Sequence, residues 1–361
     1  MLSRLCVFGS IVVGAHLGWG CRCSAQETGP AVTTTQHGPL REVVFHGMCD
    51  ASAAVPLSAN VFMVADDEDN VLRTYDADRG GPPLWSVDVS AAIGIAPKAT
   101  KPGNKPKRVP EADLEGATRV GDLGLWMSSH GRNRSGKLKR ERLRLFVTRL
   151  PTESDATVGE AAVSVVGTAY EGLLEDLVAE PRLDAFDLAA AAELAPNEPG
   201  GFNLEGMTSR RAGGVWLGFR NPIPGGQALM IPLLNPEALM EGARARFGDP
   251  VRLDLGGLGV RALSDLDGQV IIAAGSYESG GTSRLYRWRE GQEPELVTEL
   301  TFHDFNPEGV FSPKGRRELL LISDDGSRRH NGVECKALKD RARKRFRGVW
   351  VPEGTLAGAA P

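Results

Sequence analysis

A short motif that returns at intervals along the chain constrains the fold more than any other feature of the sequence. Its clearest copies are ADLEGAT at residues 112–118, FNLEGMT at 202–208 and FNPEGVF at 305–311. Each copy is followed by an apolar run and then by a cluster of polar residues. Self-similarity in a fixed order indicates a repeat architecture, in which every copy contributes one structural unit.

Two fainter copies complete the set. DASAAV at 50–55 precedes the apolar run 61–65, and GVRAL at 259–263 precedes the run 270–275. The glutamate position of the motif is then occupied by Ser52, Glu115, Glu205, Arg261 and Glu308, which stand 63, 90, 56 and 47 residues apart. A β-propeller blade has four strands and roughly 40–50 residues. The spacing therefore predicts an all-β fold, a single β-propeller of five four-stranded blades over residues 41–353 with insertions between strands.

The last blade is the one that the sequence leaves incomplete. Residues 310–312, 318–322 and 348–351 supply three strands, and the strand-like segment 41–45 is left over before blade 1. We predict that this segment becomes the fourth strand of blade 5, because an open ring would expose unpaired sheet edges. Helical periodicity over 172–195 and 236–246 predicts short helical insertions in blades 2 and 3.

The composition is that of an ordinary globular protein and limits the partners. Of the 361 residues 41% are hydrophobic and 24% charged, and 44 Gly and 23 Pro favour turn-rich β structure. The formal net charge of −4 argues against a nucleic-acid partner. No later segment has the length of a membrane span. We expect a monomer that neither binds nucleic acid nor spans a membrane.

The first residues have the features of a secretory signal. Arg4 precedes an apolar stretch over 5–20, and small residues at 23–25 offer a cleavage site. We therefore predict a signal peptide over 1–25, a flexible lead-in over 26–39, a C-terminal tail over 354–361, and export to the periplasm or the medium. Cys21 leaves open a lipoprotein instead of a free mature protein.

Two of the five cysteines remain after such cleavage, Cys49 and Cys335. Cys49 precedes the inner strand of blade 1, and Cys335 follows the second strand of blade 5. Five blades in a ring make these two blades neighbours, and both positions belong to the same face. We predict a disulfide, which exported proteins commonly carry. Two buried free thiols are the alternative.

Several motifs resemble a bacterial family known as domain of unknown function 3616. They are CDASA at 49–53, ADDEDN at 65–70, FNLEG at 202–206, GFRNP at 218–222 and ISDDG at 322–326. The resemblance covers roughly residues 41–353 and implies a propeller-like domain without an established activity. A more distant similarity to phytase-like and lactonase-like propellers suggests hydrolysis, although a fold does not fix a function.

In a propeller, the start of each inner strand and the end of each second strand lie at one mouth of the central channel. This mouth should gather Glu115, Glu205 and Glu308 with Arg261. Around them we expect Asp66, Asp67, His130, Asn133, Arg220, Asn221, Ser276, Asp324 and Asp325.

Three carboxylates around one channel repel one another unless positive charge lies among them. A Ca²⁺ ion held by Glu115, Glu205 and Glu308 is one solution, since Ca²⁺ binds carboxylate oxygens. Pairing with Arg220 and Arg261 is another. A polar plug that only fixes the register of the blades is the third reading.

The function hypotheses follow from these alternatives. One is a hydrolase for an anionic or phosphorylated small molecule, with the three glutamates as metal ligands or acid/base groups and His130 as a further candidate base. Arg220, Asn221, Arg261, Asp67, Asp324 and Asp325 would then bind the ligand. Basic runs at 132–144 and 336–347 would attract an anion to the mouth, unless they are merely solvated loops. The other hypothesis is a non-catalytic binding or scaffold propeller.

Overall fold

Groups of four antiparallel strands build the protein, in the order that the repeats predict. The computed structural model describes residues 30–34, 40–97, 108–151, 163–278, 280–298 and 300–356. The predicted signal peptide, 1–25, lies outside the described residues, as do most of the lead-in and the end of the tail.

Blades 1 to 4 each run outward from the channel in chain order. Blade 1 consists of Ala51–Pro56, Val61–Asp66, Val71–Asp76 and Trp85–Asp88. Blade 2 consists of Leu114–Val120, Leu123–Ser128, Leu145–Arg149 and Ser164–Tyr170. Blade 3 consists of Asn203–Ser209, Val215–Asn221, Ala228–Leu233 and Val251–Leu253. Blade 4 consists of Gly259–Leu266, Gln269–Gly275, Arg284–Trp288 and Glu295–Leu296.

Blade 5 closes the ring with strands from both ends of the propeller. Its first three strands are Pro307–Phe311, Glu318–Ser323 and Arg345–Pro352. The fourth is Arg41–His46, which pairs antiparallel with Arg345–Pro352 from Arg41 opposite Trp350 to His46 opposite Arg345. The predicted five-bladed propeller and its closing strand are confirmed.

Each blade buries both faces of its sheet against its two neighbours. In the second strand of blade 2, Leu125 and Met127 pack towards blade 3, whereas Trp126 between them packs towards blade 1. Five separate hydrophobic clusters result, one at each junction between adjacent blades. This arrangement explains why the second strands have continuous apolar runs instead of the alternation typical of a half-exposed sheet.

Helices are short and lie between strands. The α-helices are Leu173–Ala179, Leu188–Ala191 and Glu353–Leu356, and the 3₁₀ helices are Arg140–Arg142, Pro181–Phe186, Pro224–Gly226, Glu237–Glu241, Cys335–Ala337 and Arg341–Arg343. The predicted helical insertion at 172–195 is present. The helix predicted at 236–246 is only the 3₁₀ helix Glu237–Glu241, which Gly242 ends in the left-handed conformation at φ +89°.

Part of the expected flexible lead-in is instead ordered against the ring. Val32–Thr34 forms a short strand that pairs with Leu300–Phe302. Ala31 and Val32 are buried in the cluster between blades 4 and 5, which explains why this segment docks. A second small ribbon pairs Arg329–His330 with Val333–Glu334.

Cys49 and Cys335 are joined by a disulfide, with their Cα atoms 5.9 Å apart. Both cysteines are fully buried together with Leu338. The bond lies at the junction of blades 5 and 1, as the sequence predicts. Among the described residues, no helix has the length and apolar character that crossing a membrane requires.

Candidate functional site

A β-bulge sets the direction of the repeat residue in every blade. The pairing of each inner strand with the second strand shifts register at this position, around Ser52, Glu115, Glu205, Arg261 and Glu308. An extra residue at a bulge leaves the regular ladder, and its side chain is re-aimed. The five bulges therefore account for the convergence of these side chains on one mouth.

The glycine after the bulge allows the blades to approach closely. A Cβ at Gly206 would lie 2.6 Å from Val260 Cγ1 of blade 4. A Cβ at Gly309 would lie 2.4 Å from Ile322 Cγ1 in the second strand of its own blade, and 3.3 Å from Ser52 O of blade 1. Real Cβ atoms do not come that near to other atoms, so glycine is needed at these positions. The Glu-Gly pair of the repeat therefore combines a side chain that faces the channel with a tightly packed backbone next to it.

Four of the five bulged residues, all except Ser52, line a cavity of about 940 Å³ at the mouth of the channel. Thirteen Asp or Glu and seven Arg or Lys side chains line it, which is a net formal charge of −6. The cavity is therefore more acidic than the protein as a whole, and its acids and bases are not evenly distributed around the ring.

On the side of blades 3 to 5, arginines neutralise the glutamates. Arg261 Nε lies 3.1 Å from Glu205 Oε2, and Arg261 Nη2 contacts Glu308 Oε1. Glu205 Oε1 also accepts a hydrogen bond of 2.8 Å from Arg220 Nη1. All three members of the Glu205–Arg261–Glu308 group are buried. Glu205 and Glu308 therefore form ion pairs with arginine, which is one of the alternatives that the sequence suggests.

An asparagine two residues before each of these glutamates holds the carboxylate. Asn203 Nδ2 donates to Glu205 Oε1 at 2.7 Å, and Asn306 Nδ2 donates to Glu308 Oε1 at 2.9 Å. Asn306 Oδ1 accepts in turn from Arg261 Nη2 at 3.4 Å. Asn203 Oδ1 is buried and has no hydrogen-bond partner among the described residues.

On the side of blades 1 and 2, five carboxyl groups meet and only two of those described pair with an arginine. Asp50, Asp66 and Asp67 each offer an oxygen within 4.8 Å of the others, and so do Asp67, Asp113 and Glu115. We call these five residues the acidic cluster. Arg142 pairs with Asp113 at 2.7 Å, and Arg73 lies 3.9 Å from Asp66. Within the described parts of the chain, Asp50, Asp67 and Glu115 form no ion pair.

The electrostatics of the acidic cluster reflect burial and like charge. Burial, followed by the charges of Asp324 and Asp66, raises the pKa of Asp50 to about 8. Burial raises the pKa of Asp66 to about 7, and that of Asp113 to about 6 although Arg142 lies beside it.

Asp67 and Glu115 show the same direction. Burial, and then the charge of Glu115, holds the pKa of Asp67 well above its usual range. Burial, and then the charge of Glu205, does the same for the pKa of Glu115. A cation placed among these carboxyl groups would stabilise their ionised form.

Backbone bonds near the disulfide fix the geometry of this cluster. Asp67 N–H donates to Asp50 O at 3.2 Å, and Asp325 N–H donates to Cys49 O at 3.0 Å. Asp50 also forms an isolated bridge with Asp324 of blade 5. The junction of the two blades is thus part of the site.

Some predicted site residues have structural partners instead. His130 does not line the cavity; its Nδ1 lies 2.8 Å from Ser128 O, and burial lowers its pKa to about 4. Asn221 donates to Pro196 O and Glu198 O and does not line the cavity either. Asp325 lines it but pairs with Arg347 at 2.6 Å.

The basic runs reach the mouth only in part. Arg134 and Arg142 of the first run and Lys336 of the second line the cavity. Arg132 and Arg144 instead contact Glu193 and Glu171. Arg132 and Arg144 thus form ion pairs within the protein and do not line the cavity.

Sequence reasoning missed Asp50, Asp113, Asn203 and Asn306. All four occupy the same place in the repeat, two residues before the bulged residue, and a comparison of that column across the copies would have found them. Blade 4 has Gly259 there, so only four blades present a polar side chain at this position.

Several solved structures are similar to this one over most of its length. Glutaminyl cyclase from Myxococcus xanthus is 11% identical with a TM-score of 0.43, over 90% of this chain and 99% of that one. The PQQ-bound aldose sugar dehydrogenase from Streptomyces coelicolor is 15% identical with a TM-score of 0.42, over 87% and 99%. Virginiamycin B lyase from Staphylococcus aureus is 9% identical with a TM-score of 0.35, over 86% and 99%.

These likenesses concern the fold alone. No curated protein sequence matches the chain. The family model for proteins of unknown function DUF3616 matches residues 52–304, which contain blades 1 to 4 and the bulged residues Ser52, Glu115, Glu205 and Arg261. The chain belongs to the DUF3616 family.

Proposed function

We propose that this protein is an exported hydrolase that depends on a divalent cation and acts on a phosphorylated small molecule at the mouth of the channel. One observation carries the proposal: the acidic cluster brings five carboxyl groups together, four of them lining a large cavity, and three of the five have no ion pair within the described residues. The disulfide supports export, since such bonds persist in oxidising compartments.

The two halves of the mouth have different roles in this proposal. The Glu205–Arg261–Glu308 group is neutralised together with Arg220 and joins blades 3, 4 and 5, as a polar plug would. The acidic cluster has more carboxyl groups than cationic partners and offers only oxygen donors, which suit a hard cation such as Ca²⁺. The cation site that we propose therefore includes Glu115 but replaces Glu205 and Glu308 by Asp50, Asp66, Asp67 and Asp113.

A bound cation would make the acidic mouth attractive to an anion. Lys336 lines the same cavity and offers further positive charge for phosphate oxygens, whereas Arg142 and Arg220 already pair with Asp113 and Glu205. In hydrolysis, the oxygen of a water molecule bonds to phosphorus while the ester P–O bond breaks. The electron pair stays on the alcohol oxygen, which receives a proton from the water.

The second candidate is a binding propeller without turnover. The position of His130 outside the cavity favours this binding propeller, because the described cavity lining contains no histidine that could act as a general base. In that case the cation and the arginines would hold an anionic ligand and release it unchanged.

The test is hydrolysis of aryl phosphates and of simple lactones by the purified chain, with Ca²⁺ and after chelation. We expect phosphate-ester turnover that chelation removes, and a loss of at least tenfold in Asp67→Asn. Glu278→Gln, which changes an exposed carboxylate of the same cavity, is the matched control and should keep its rate. A cation that raises the melting temperature without any turnover would favour the binding propeller. Absence of both effects would refute the proposal.

A further inference from the structure

We propose that the acidic cluster holds two divalent cations that share Asp67 as a bridging ligand. This inference rests on the proposed function and adds the number of ions and the ligands of each. The first ion would bind Asp50, Asp66 and Asp67, and the second would bind Asp67, Asp113 and Glu115.

The distances support two ions. Asp67 belongs to both groups of oxygens that approach within 4.8 Å of one another. Calcium–oxygen distances are about 2.3–2.6 Å, so two ligand oxygens on one ion lie at most about 5 Å apart. Each group therefore fits the ligand shell of one ion. A carboxylate has two oxygens and can give one to each.

The conformation of Asp67 suits a bridge. Its backbone is fixed by the hydrogen bond from its N–H to Asp50 O, at 3.2 Å. Its Oδ1 is buried and lacks a hydrogen-bond partner among the described residues. Asp67 thus has a buried acceptor oxygen available between the two groups.

Asn203 is an independent sign of a ligand next to the second group. Its side chain is 4% exposed and lines the cavity, and its Oδ1 has no partner within the described chain. The amide cannot be turned to remove the problem, because Nδ2 must donate to the carboxylate of Glu205 at 2.7 Å. A buried acceptor without a partner carries a desolvation penalty that a bound ligand would remove.

Asn306, the equivalent residue of blade 5, shows that an amide oxygen without a partner is not a general property of the repeat. Asn306 makes the same bond to its glutamate, but its Oδ1 accepts from Arg261 at 3.4 Å. Asn203 lacks this partner and lies beside blade 2, where Leu204 N–H donates to Ser129 O and Ser129 N–H donates to Asp113 O. Amide oxygens are calcium ligands, and the second ion would satisfy this one.

Two cations a short distance apart would narrow the substrate class. A pair of ions about 3.5–4 Å apart can hold both the attacking and the leaving oxygen of an in-line displacement at phosphorus. The centre is therefore suited to phosphate esters.

The experiment measures how many Ca²⁺ ions the purified full chain binds, by equilibrium dialysis with elemental analysis and by calorimetry. We expect two ions per chain in the unmodified protein. Asp50→Asn should lose the first, Glu115→Gln the second, and Asp67→Asn both. Glu278→Gln should retain two, and circular dichroism should show that each variant keeps its fold.

A second pair of variants tests the amide ligand. Asn203→Ala should weaken the second ion by about tenfold, which corresponds to about 1.4 kcal/mol. Asn306→Ala removes the matching bond to Glu308 and should leave both ions bound with unchanged affinity. Equal effects of the two substitutions would contradict the role of Asn203.

The outcomes separate this inference from the proposed function. A single ion that is lost in Asp50→Asn and Glu115→Gln alike would overturn the two-ion centre and leave a cation-dependent hydrolase standing. Two ions without turnover would support the centre and refute the hydrolase. No bound ion would refute both.

Discussion

At the scale of the residue, one repeat position decides the chemistry of each blade. The bulge presents an acid in blades 2, 3 and 5, and an arginine in blade 4. Arg261 lies between Glu205 and Glu308. Because blade 4 has an arginine where blades 2, 3 and 5 have a glutamate, two acids that would repel each other form ion pairs instead. Glu115 feels the charge of Arg261 but forms no ion pair with it among the described residues, and it belongs to the acidic cluster.

Replacing Arg261 should therefore be severe. Arg261→Met leaves Glu308 without a cationic partner in a buried place and weakens the neutralisation of Glu205. We expect a loss of about 3–5 kcal/mol in the free energy of unfolding, measured by chemical denaturation. A triple variant with Glu205→Gln and Glu308→Gln in addition should recover much of it, because no uncompensated charge remains. A triple variant as unstable as the single one would contradict this account.

The sequence predicted the convergence of Glu115, Glu205, Glu308 and Arg261, because their repeat position places them at one face. It could not predict which acids come within 5 Å of one another. That depends on the bulge and on the hydrogen bond between Asp67 N–H and Asp50 O. Nor could it show that Asn203 Oδ1 lacks a partner, since the identical motif in blade 5 satisfies Asn306.

At the scale of the element, the inner strand combines the bulge with a close contact to the next blade. Gly206 has a backbone conformation open to any residue, but Val260 and Leu263 of blade 4 leave no room for a Cβ. The Glu-Gly pair that revealed the repeat is therefore a packing signal as well as a polar one.

Gly206→Ala should destabilise the protein by overpacking. We expect a loss of about 1–3 kcal/mol in denaturant unfolding. Gly354→Ala is the control, because the helix Glu353–Leu356 has open space around that position and should tolerate a methyl group. If both variants unfold at the same denaturant concentration, the contact with blade 4 is not tight.

At the scale of the whole molecule, one junction connects the closure of the ring with the candidate site. Blade 5 takes its outer strand from Arg41–His46, and the chain then passes directly through Cys49 and Asp50 into blade 1. The closing strand and the Cys49–Cys335 pair follow from counting blades. The docked strand Val32–Thr34 was not predicted, because three residues carry too little periodicity to stand out.

Breaking the disulfide should loosen this junction. A loop of this length can contribute up to about 5 kcal/mol in chain-entropy models, so Cys335→Ser should lower the melting temperature clearly. Calcium binding should weaken with it, because Asp50 follows Cys49. Intact mass after alkylation, with and without reductant, measures the bond. Two alkylated thiols in the unreduced, denatured protein would show that it is absent.

The shared blade also has a consequence for how the protein is made. Arg41–His46 is synthesised before the four complete blades, and its partner Arg345–Pro352 is synthesised after them. Throughout synthesis the first strand has an unpaired edge that could join with other chains. The protein reaches a closed form only when both segments have emerged, so its biogenesis ends in a single late step.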